Sequence, residues 1–225
     1  MRRQFKSITY LALLTIVAGG CGSTGSGDGN DATILRFRGF DSKGITQADS
    51  VSGGNADVDV VQNLCQSSAT SGGQVMVTDE LFTQTVVNAT FENDEKLDIS
   101  LNRYDIHIAD PNVGVGDVSY PMSGTILGGR CANALNRPCA SELDCVVGTT
   151  RGNCQFSLTK LDSLLLVDLD TKDHVSPLVY GRGLPINISF FGSDIVGNQY
   201  VARANYTITF DNFCNCSTGE LCIAR

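Results

Sequence analysis

Ile186-Asn187-Ile188-Ser189-Phe190-Phe191 is followed by Gly192-Ser193-Asp194-Ile195-Val196-Gly197-Asn198, and then by a second run from Tyr200 to Phe210. Apolar and polar residues alternate on both sides of the connection, the period of a strand with one buried face. Ala202, Ala204, Tyr206, Ile208 and Phe210 share one side of the second run. The Gly-Asn connection suits a tight reversal, so the stretch reads as an antiparallel hairpin.

Upstream segments repeat that period. Leu35 and Phe37 alternate with Arg36 and Arg38, and Asp57 to Val61 alternates again. A Gly/Ser-rich turn is expected over Ser67 to Gly73, between Cys65 and the run Gln74-Val75-Met76-Val77. Val87, Ala89 and Phe91 face one way in the run from Thr85, with Asn88 and Thr90 facing the other. From Leu97 to Ile108 the parity changes: Leu97, Ile99 and Leu101 are odd, whereas Tyr104, Ile106 and Ile108 are even. One extra residue near Asn102-Arg103 would do this, which predicts a β-bulge. Val118 to Leu127 reads as a strand interrupted by Pro121. Leu158 to Leu169 carries both periods and reads as a short helix or turn passing into a strand. Short strands at this spacing, without interleaved long helices, indicate an all-β chain and an antiparallel β-sandwich over residues 32–225.

The N-terminus is of another kind. Arg2, Arg3 and Lys6 precede an uncharged apolar run from Ile8 to Ala18. About 11 residues suit the core of a secretory signal and fall short of the roughly 20 needed to span a bilayer. Val17-Ala18-Gly19-Gly20-Cys21 resembles the lipobox of bacterial lipoproteins, with Ala18 in the place usual for Leu. That resemblance implies cleavage after residue 20 and acylation of Cys21 with diacylglycerol and a further acyl chain. Residues 21–31 are polar and Gly/Ser-rich, the composition of a tether. Gly22, in place of Asp, implies outer-membrane delivery over inner-membrane retention.

Removing residues 1–20 takes three of the 16 basic groups and none of the 24 acidic ones, leaving a net charge near −11. Such a surface repels phosphate backbones, which argues against a nucleic-acid partner; contact with a membrane would come through the lipid. Eight cysteines remain beyond Cys21: Cys65, Cys131, Cys139, Cys145, Cys154, Cys214, Cys216 and Cys222. An even number in an oxidising compartment reads as up to four disulfides. Cys131, Cys139, Cys145 and Cys154 are expected to pair among themselves and staple a loop-rich insertion at about 128–156. Cys214 and Cys216 are too close to bridge each other without strain. One of the two is expected to pair with Cys222 and the other with Cys65.

Asp194-x-x-Gly197-Asn198 between two terminal strands resembles the last hairpin of bacterial immunoglobulin-like and fibronectin-III-like domains, over about 25 residues. Tyr104-Asp105-Ile106-His107-Ile108 and Leu184-Pro185 are similar to segments of uncharacterised bacterial envelope lipoproteins. The resemblance implies an immunoglobulin-like sandwich, and such a fold does not by itself imply an activity.

Signals for chemistry are sparse. His107 falls on the outward side of its strand, and His174 sits in a polar loop. Neither His-Glu-x-x-His nor Gly-x-Ser-x-Gly occurs. Ser157-Leu158-Thr159-Lys160 matches Ser-x-x-Lys without the elements that accompany it in penicillin-binding enzymes. Exported thiols are normally bridged, so zinc is not expected. Asp168, Asp170 and Asp173 offer hard oxygen ligands and are the candidates for calcium, although they fail the EF-hand pattern. Asn88, Asn187, Asn205 and Asn215 stand in sequons that here reflect Ser and Thr on strand surfaces. The sum points to a non-catalytic, lipid-anchored envelope protein: a binding or structural module for a protein or glycan partner. Its disulfide-ordered insertion is the first place to seek recognition. The alternative is an envelope hydrolase built on paired carboxylates distant in sequence.

Overall fold

Hydrophobic alternation dictates most of the architecture in the computed structural model. It describes residues 34–42, 50–52, 55–71, 74–110, 116–179 and 181–224. The signal segment 1–20, Cys21 and the tether 21–31 lie outside them. In chain order the first strands are β1 (Leu35–Ser42), β2 (Ser50–Ser52), β3 (Asn55–Asp59), β4 (Leu64–Ser71), β5 (Gln74–Asp79), β6 (Thr85–Asn93), β7 (Ile99–Ile108) and β8 (Val118–Ile126). The insertion holds β9 (Arg130–Cys131), β10 (Ala134–Pro138), a 3-10 turn at Glu142–Cys145, β11 (Val146–Val147), β12 (Thr150–Arg151) and β13 (Cys154–Gln155). Then come β14 (Thr159–Val167), helix α1 (Leu169–Val179), β15 (Arg182–Asp194), β16 (Gln199–Asp211) and β17 (Glu220–Ile223).

The chain is mostly β. A six-stranded sheet runs β2-β3-β16-β15-β7-β8, and a three-stranded sheet runs β1-β6-β14. Their inner faces share one core: the Phe37 ring of β1 stacks on Phe190 of β15 at 5.2 Å, and Phe91 of β6 meets Phe190 edge-on at 4.9 Å. Leu184, Ile186 and Ile188 on β15 and Ala202, Ala204, Ile208 and Phe210 on β16 are buried in alternation. Each large side chain so buried contributes ~1.5–3 kcal/mol of transfer free energy. Among the described residues every strand pairing is antiparallel except that of β3 with β16.

The bulge lies where the parity change places it. Gly192 pairs with Leu101 and Phe191 with Arg103, leaving Asn102 as the extra residue. Asn102 and Arg103 both face solvent while Leu101 and Tyr104 both face the core. Arg103 covers the Phe191 ring at 4.3 Å.

Three expectations need correction. Pro121 does not interrupt its strand: β8 is an edge strand of the six-stranded sheet, where a missing N–H is tolerated. The turn expected from Ser67 is strand as far as Ser71. The Leu158–Leu169 segment also has the opposite order, a strand that passes into a helix. Ser163 has a left-handed φ of 68°, and the register of β14 on β6 slips between Leu161 and Leu164. That slip breaks the period of two and mimics helical spacing.

The strands give the molecule two ends. The described chain enters the fold at Ile34, whose carbonyl accepts the Asp94 amide. The start of β7, the end of β8 and the β15–β16 hairpin lie at this entry end, since Asp194 pairs with Ile99 and Ile99 with Ile126. At the far end Asp211 pairs with Asp59, and α1, β4, β5 and β17 follow beyond. The order β17-β4-β5 forms a separate three-stranded sheet there.

Candidate functional site

Exposed large hydrophobic side chains mark a candidate interaction surface better than any catalytic signal. Leu127, Leu143, Val147, Leu158, Ile195 and Val196 belong to the entry end or to the insertion that leaves it. Val75, Met76, Val77, Leu81, Leu169, Leu221 and Ile223 belong to the far end. Among the described residues none lies on the outer flanks of the two core sheets.

At the entry end the hairpin loop is held by one carboxylate. Asp194 Oδ1 accepts the amides of Val196, Gly197 and Asn198 at 2.8–2.9 Å. Its Oδ2 accepts Asn198 Nδ2 at 2.7 Å and the Tyr200 hydroxyl at 2.9 Å. Desolvation opposes the charge, but these donors, Asn198 and Tyr200 foremost, outweigh it and hold the Asp194 pKa at about 2. Gly197 takes a φ of +98°, which a side chain would disfavour. The loop so fixed presents Ile195, 89% exposed, and Val196, 73% exposed. Around it acids meet bases: Arg36 with Asp94, Arg38 with Glu92, Lys96 with Asp144 and Arg130 with Asp98.

The insertion is stapled by Cys131–Cys145 and Cys139–Cys154. Gly129 is packed so tightly that a Cβ would lie 2.3 Å from the Cys139 carbonyl oxygen. The amides of Ala140 and Ser141 donate to Asp144 and hold its pKa below the usual carboxylate value.

At the far end Cys65 pairs with Cys216 and Cys214 with Cys222, which settles the open choice between the two neighbouring cysteines. In the sheet they brace, Leu221 stands opposite Gln66 and Gln66 opposite Val77. Opposed residues share a face, so Val75, Val77, Leu221 and Ile223 lie on one side, while Cys65 and Cys222 lie on the other. β5 is exposed along its whole length, with Met76 on the side of the cysteines and Val75 and Val77 on the other, so the sheet offers aliphatic side chains to solvent while the two disulfides hold it to the C-terminal segment.

Beneath this sheet lies a buried polar cluster that the sequence did not announce. Asn63 donates its Nδ2 to Glu80 Oε2 and to Asn212 Oδ1, both at 2.7 Å. Asp59, Glu80 and Lys172 are each 2% exposed or less, and Lys172 Nζ sits 5.2 Å above the Phe82 ring. Burial raises the Asp59 pKa to about 6, against the amides of Phe213 and Val61 that donate to it; Glu80 raises it further and Lys172 lowers it. Asp59 and Glu80 are buried carboxylates close enough for Glu80 to raise the Asp59 pKa. The only sequence signal was the polar Asp59 at the close of an alternating run.

The calcium candidates do not converge. Asp168 begins α1 by accepting the Thr171 amide at 2.7 Å and takes the Tyr120 hydroxyl on its other oxygen, while Asp170 and Asp173 lie exposed on the helix. Among the described residues, three or more ligand atoms within 4.8 Å of one another gather only around cysteines already in disulfides. His107 faces outward with Asp117 at 2.5 Å, and Lys160 pairs with Asp41 at 3.1 Å. No family model, curated protein or solved structure matches the chain. No helix among the described residues is long and apolar enough to cross a membrane.

Proposed function

We propose that the chain is an exported bacterial lipoprotein, anchored through Cys21 to the envelope and in the outer membrane rather than the inner, whose immunoglobulin-like sandwich serves as a non-catalytic binding module. The observation that carries this reading is the pair of apolar ends. The chain enters at one end, and the aliphatic face of β4, β5 and β17 projects from the other. Two disulfides brace that face, which removes much of the ordering cost of binding. Exposed Val, Leu and Ile, without flat rings to stack on sugars, favour a protein partner over a glycan. The pairing of all eight cysteines beyond Cys21 supports passage through an oxidising compartment.

Two experiments test the reading. Cys21→Ser should abolish metabolic labelling with a tagged fatty acid; labelling that persists refutes the anchor. A photo-crosslinking residue in place of Val77 should capture a protein in intact cells, whereas the same residue in place of Asn187, on the outer flank of β15, should not. Equal capture from both positions, or none from Val77, removes the far face from the proposal.

A further inference from the structure

The entry end carries a second inference, which rests on the acyl-anchor reading above. We infer that the β15–β16 hairpin tip, Ile195 and Val196, is a membrane-contacting site that enters the interfacial region of the bilayer to which Cys21 is attached. Three observations converge on this. The most exposed large hydrophobic side chain described is Ile195, and its neighbour Val196 is 73% exposed, both on a loop fixed by the five hydrogen bonds to Asp194. Ordinary loop tips are polar, and two adjacent aliphatic residues held outward by a rigid clasp present apolar surface at no further conformational cost.

The second observation is where the described part of the chain begins. Residues 21–33 lead from Cys21 to Ile34, and the Ile34 carbonyl is bound by Asp94 beside this same tip. Thirteen residues reach at most ~45 Å when fully extended. The thirteen residues of β15 run from the far end to the tip and span about 40 Å on their own. Presenting the far end to the same membrane would therefore consume the whole reach of the connecting chain, whereas the entry end meets the membrane at any extension.

The third is charge. The protein is strongly acidic, and acidic groups at a bilayer surface are repelled by anionic lipid and resist dehydration. At the entry end Glu92, Asp94, Asp98 and Asp144 each have a cationic partner and Asp194 is satisfied inside its loop, which leaves Glu95, near Tyr200, and the exposed Glu142 of the insertion as the acids there outside any ion pair among the described residues. Leu127 and Leu158, joined through the Leu127 amide and the Thr159 hydroxyl, add apolar surface at the same end.

The chain has no tryptophan, so one introduced indole reports without background. The full-length mature protein carrying Ile195→Trp, extracted with its acyl groups, is reconstituted in phosphatidylcholine vesicles with brominated acyl chains and checked by flotation. The expected result is a blue-shifted emission that the bromolipid quenches, with Leu221→Trp at the far end neither shifted nor quenched. Vesicles that float with the protein while the indole at the hairpin tip remains unquenched would overturn the inference and leave the anchor standing. Equal quenching at both positions would overturn it too, since the molecule would then lie flat. Failure to float would overturn the anchor and the inference together.

Discussion

Asp59 and Asp194 are carboxylates with opposite fates. Folding raises the Asp59 pKa from 3.8 to about 6, so the folded protein binds that proton more tightly than the unfolded chain. Stability from this group is therefore lost as pH climbs from about 4 to about 6, a loss of roughly 3 kcal/mol if the group acts alone. Asp59→Asn should flatten the urea midpoint over that window, since an amide oxygen still accepts the Val61 and Phe213 amides; an unchanged slope would show that another group titrates there. Asp194 works the other way. Its pKa falls to about 2, so its stabilisation is complete above about pH 4 and disappears as pH drops towards 2. Asp194→Ala should lower the melting temperature at neutral pH and reduce the loss of melting temperature between about pH 4 and pH 2, as followed by circular dichroism, with Asp144 leaving a remainder.

Elements were legible where the hydrophobic period survived and illegible where one residue broke it unannounced. The β7 bulge could be read because Leu101 and Tyr104 are both large and apolar, so the change of parity shows. Its other half is Gly192, where a Cβ would lie 2.8 Å from the Leu101 side chain and from the Ser100 carbonyl oxygen. Gly192→Ala should cost ~1–3 kcal/mol in denaturant unfolding, the usual range for overpacking, whereas Ala at Gly148, which meets nothing within 4 Å and differs only in a φ of +62°, tests backbone strain alone. The slip in β14 hid because Ser163 is an ordinary residue in a left-handed conformation. Helix α1 hid behind its own acids: Asp168 with Thr171 three residues on is a helix start, and the same residues resemble a metal loop. Lys172 gave no sign at all, because a buried lysine is defined by neighbours that arrive from distant strands. The two apolar ends could not be read from sequence either, since Ile195 and Val77 have the composition of core residues and only topology leaves them outside.

At the scale of the molecule, the disulfides divide the labour. Cys65–Cys216 spans 151 residues and ties the far sheet to the domain; Cys139–Cys154 spans 15 and closes the insertion on itself. In the chain-entropy model the first constrains the unfolded state by about 5 kcal/mol and the second by about 3. The Cys65→Ser, Cys216→Ser pair of changes should therefore lower global stability more than Cys139→Ser with Cys154→Ser. Hydrogen exchange should show the second pair loosening residues 128–156 while the core sheets stay protected; uniform loosening would contradict an insertion that is locally closed.

The same long bridge has a consequence for biosynthesis. If the chain is exported as proposed, N-terminus first and with Cys21 acylated, it delivers Cys65 first among the other eight cysteines, then the four thiols of the insertion, and Cys216 only after all of them. An oxidase acting on cysteines in order of arrival would join Cys65 to Cys131, so the native arrangement requires that the first thiol wait or that a wrong bond be exchanged. Cells lacking a disulfide isomerase should accordingly accumulate scrambled, faster-migrating forms on non-reducing gels, and removing Cys65 together with Cys216 should lessen that dependence without abolishing it, because Cys131–Cys145 and Cys139–Cys154 interleave and are not joined in order of arrival either.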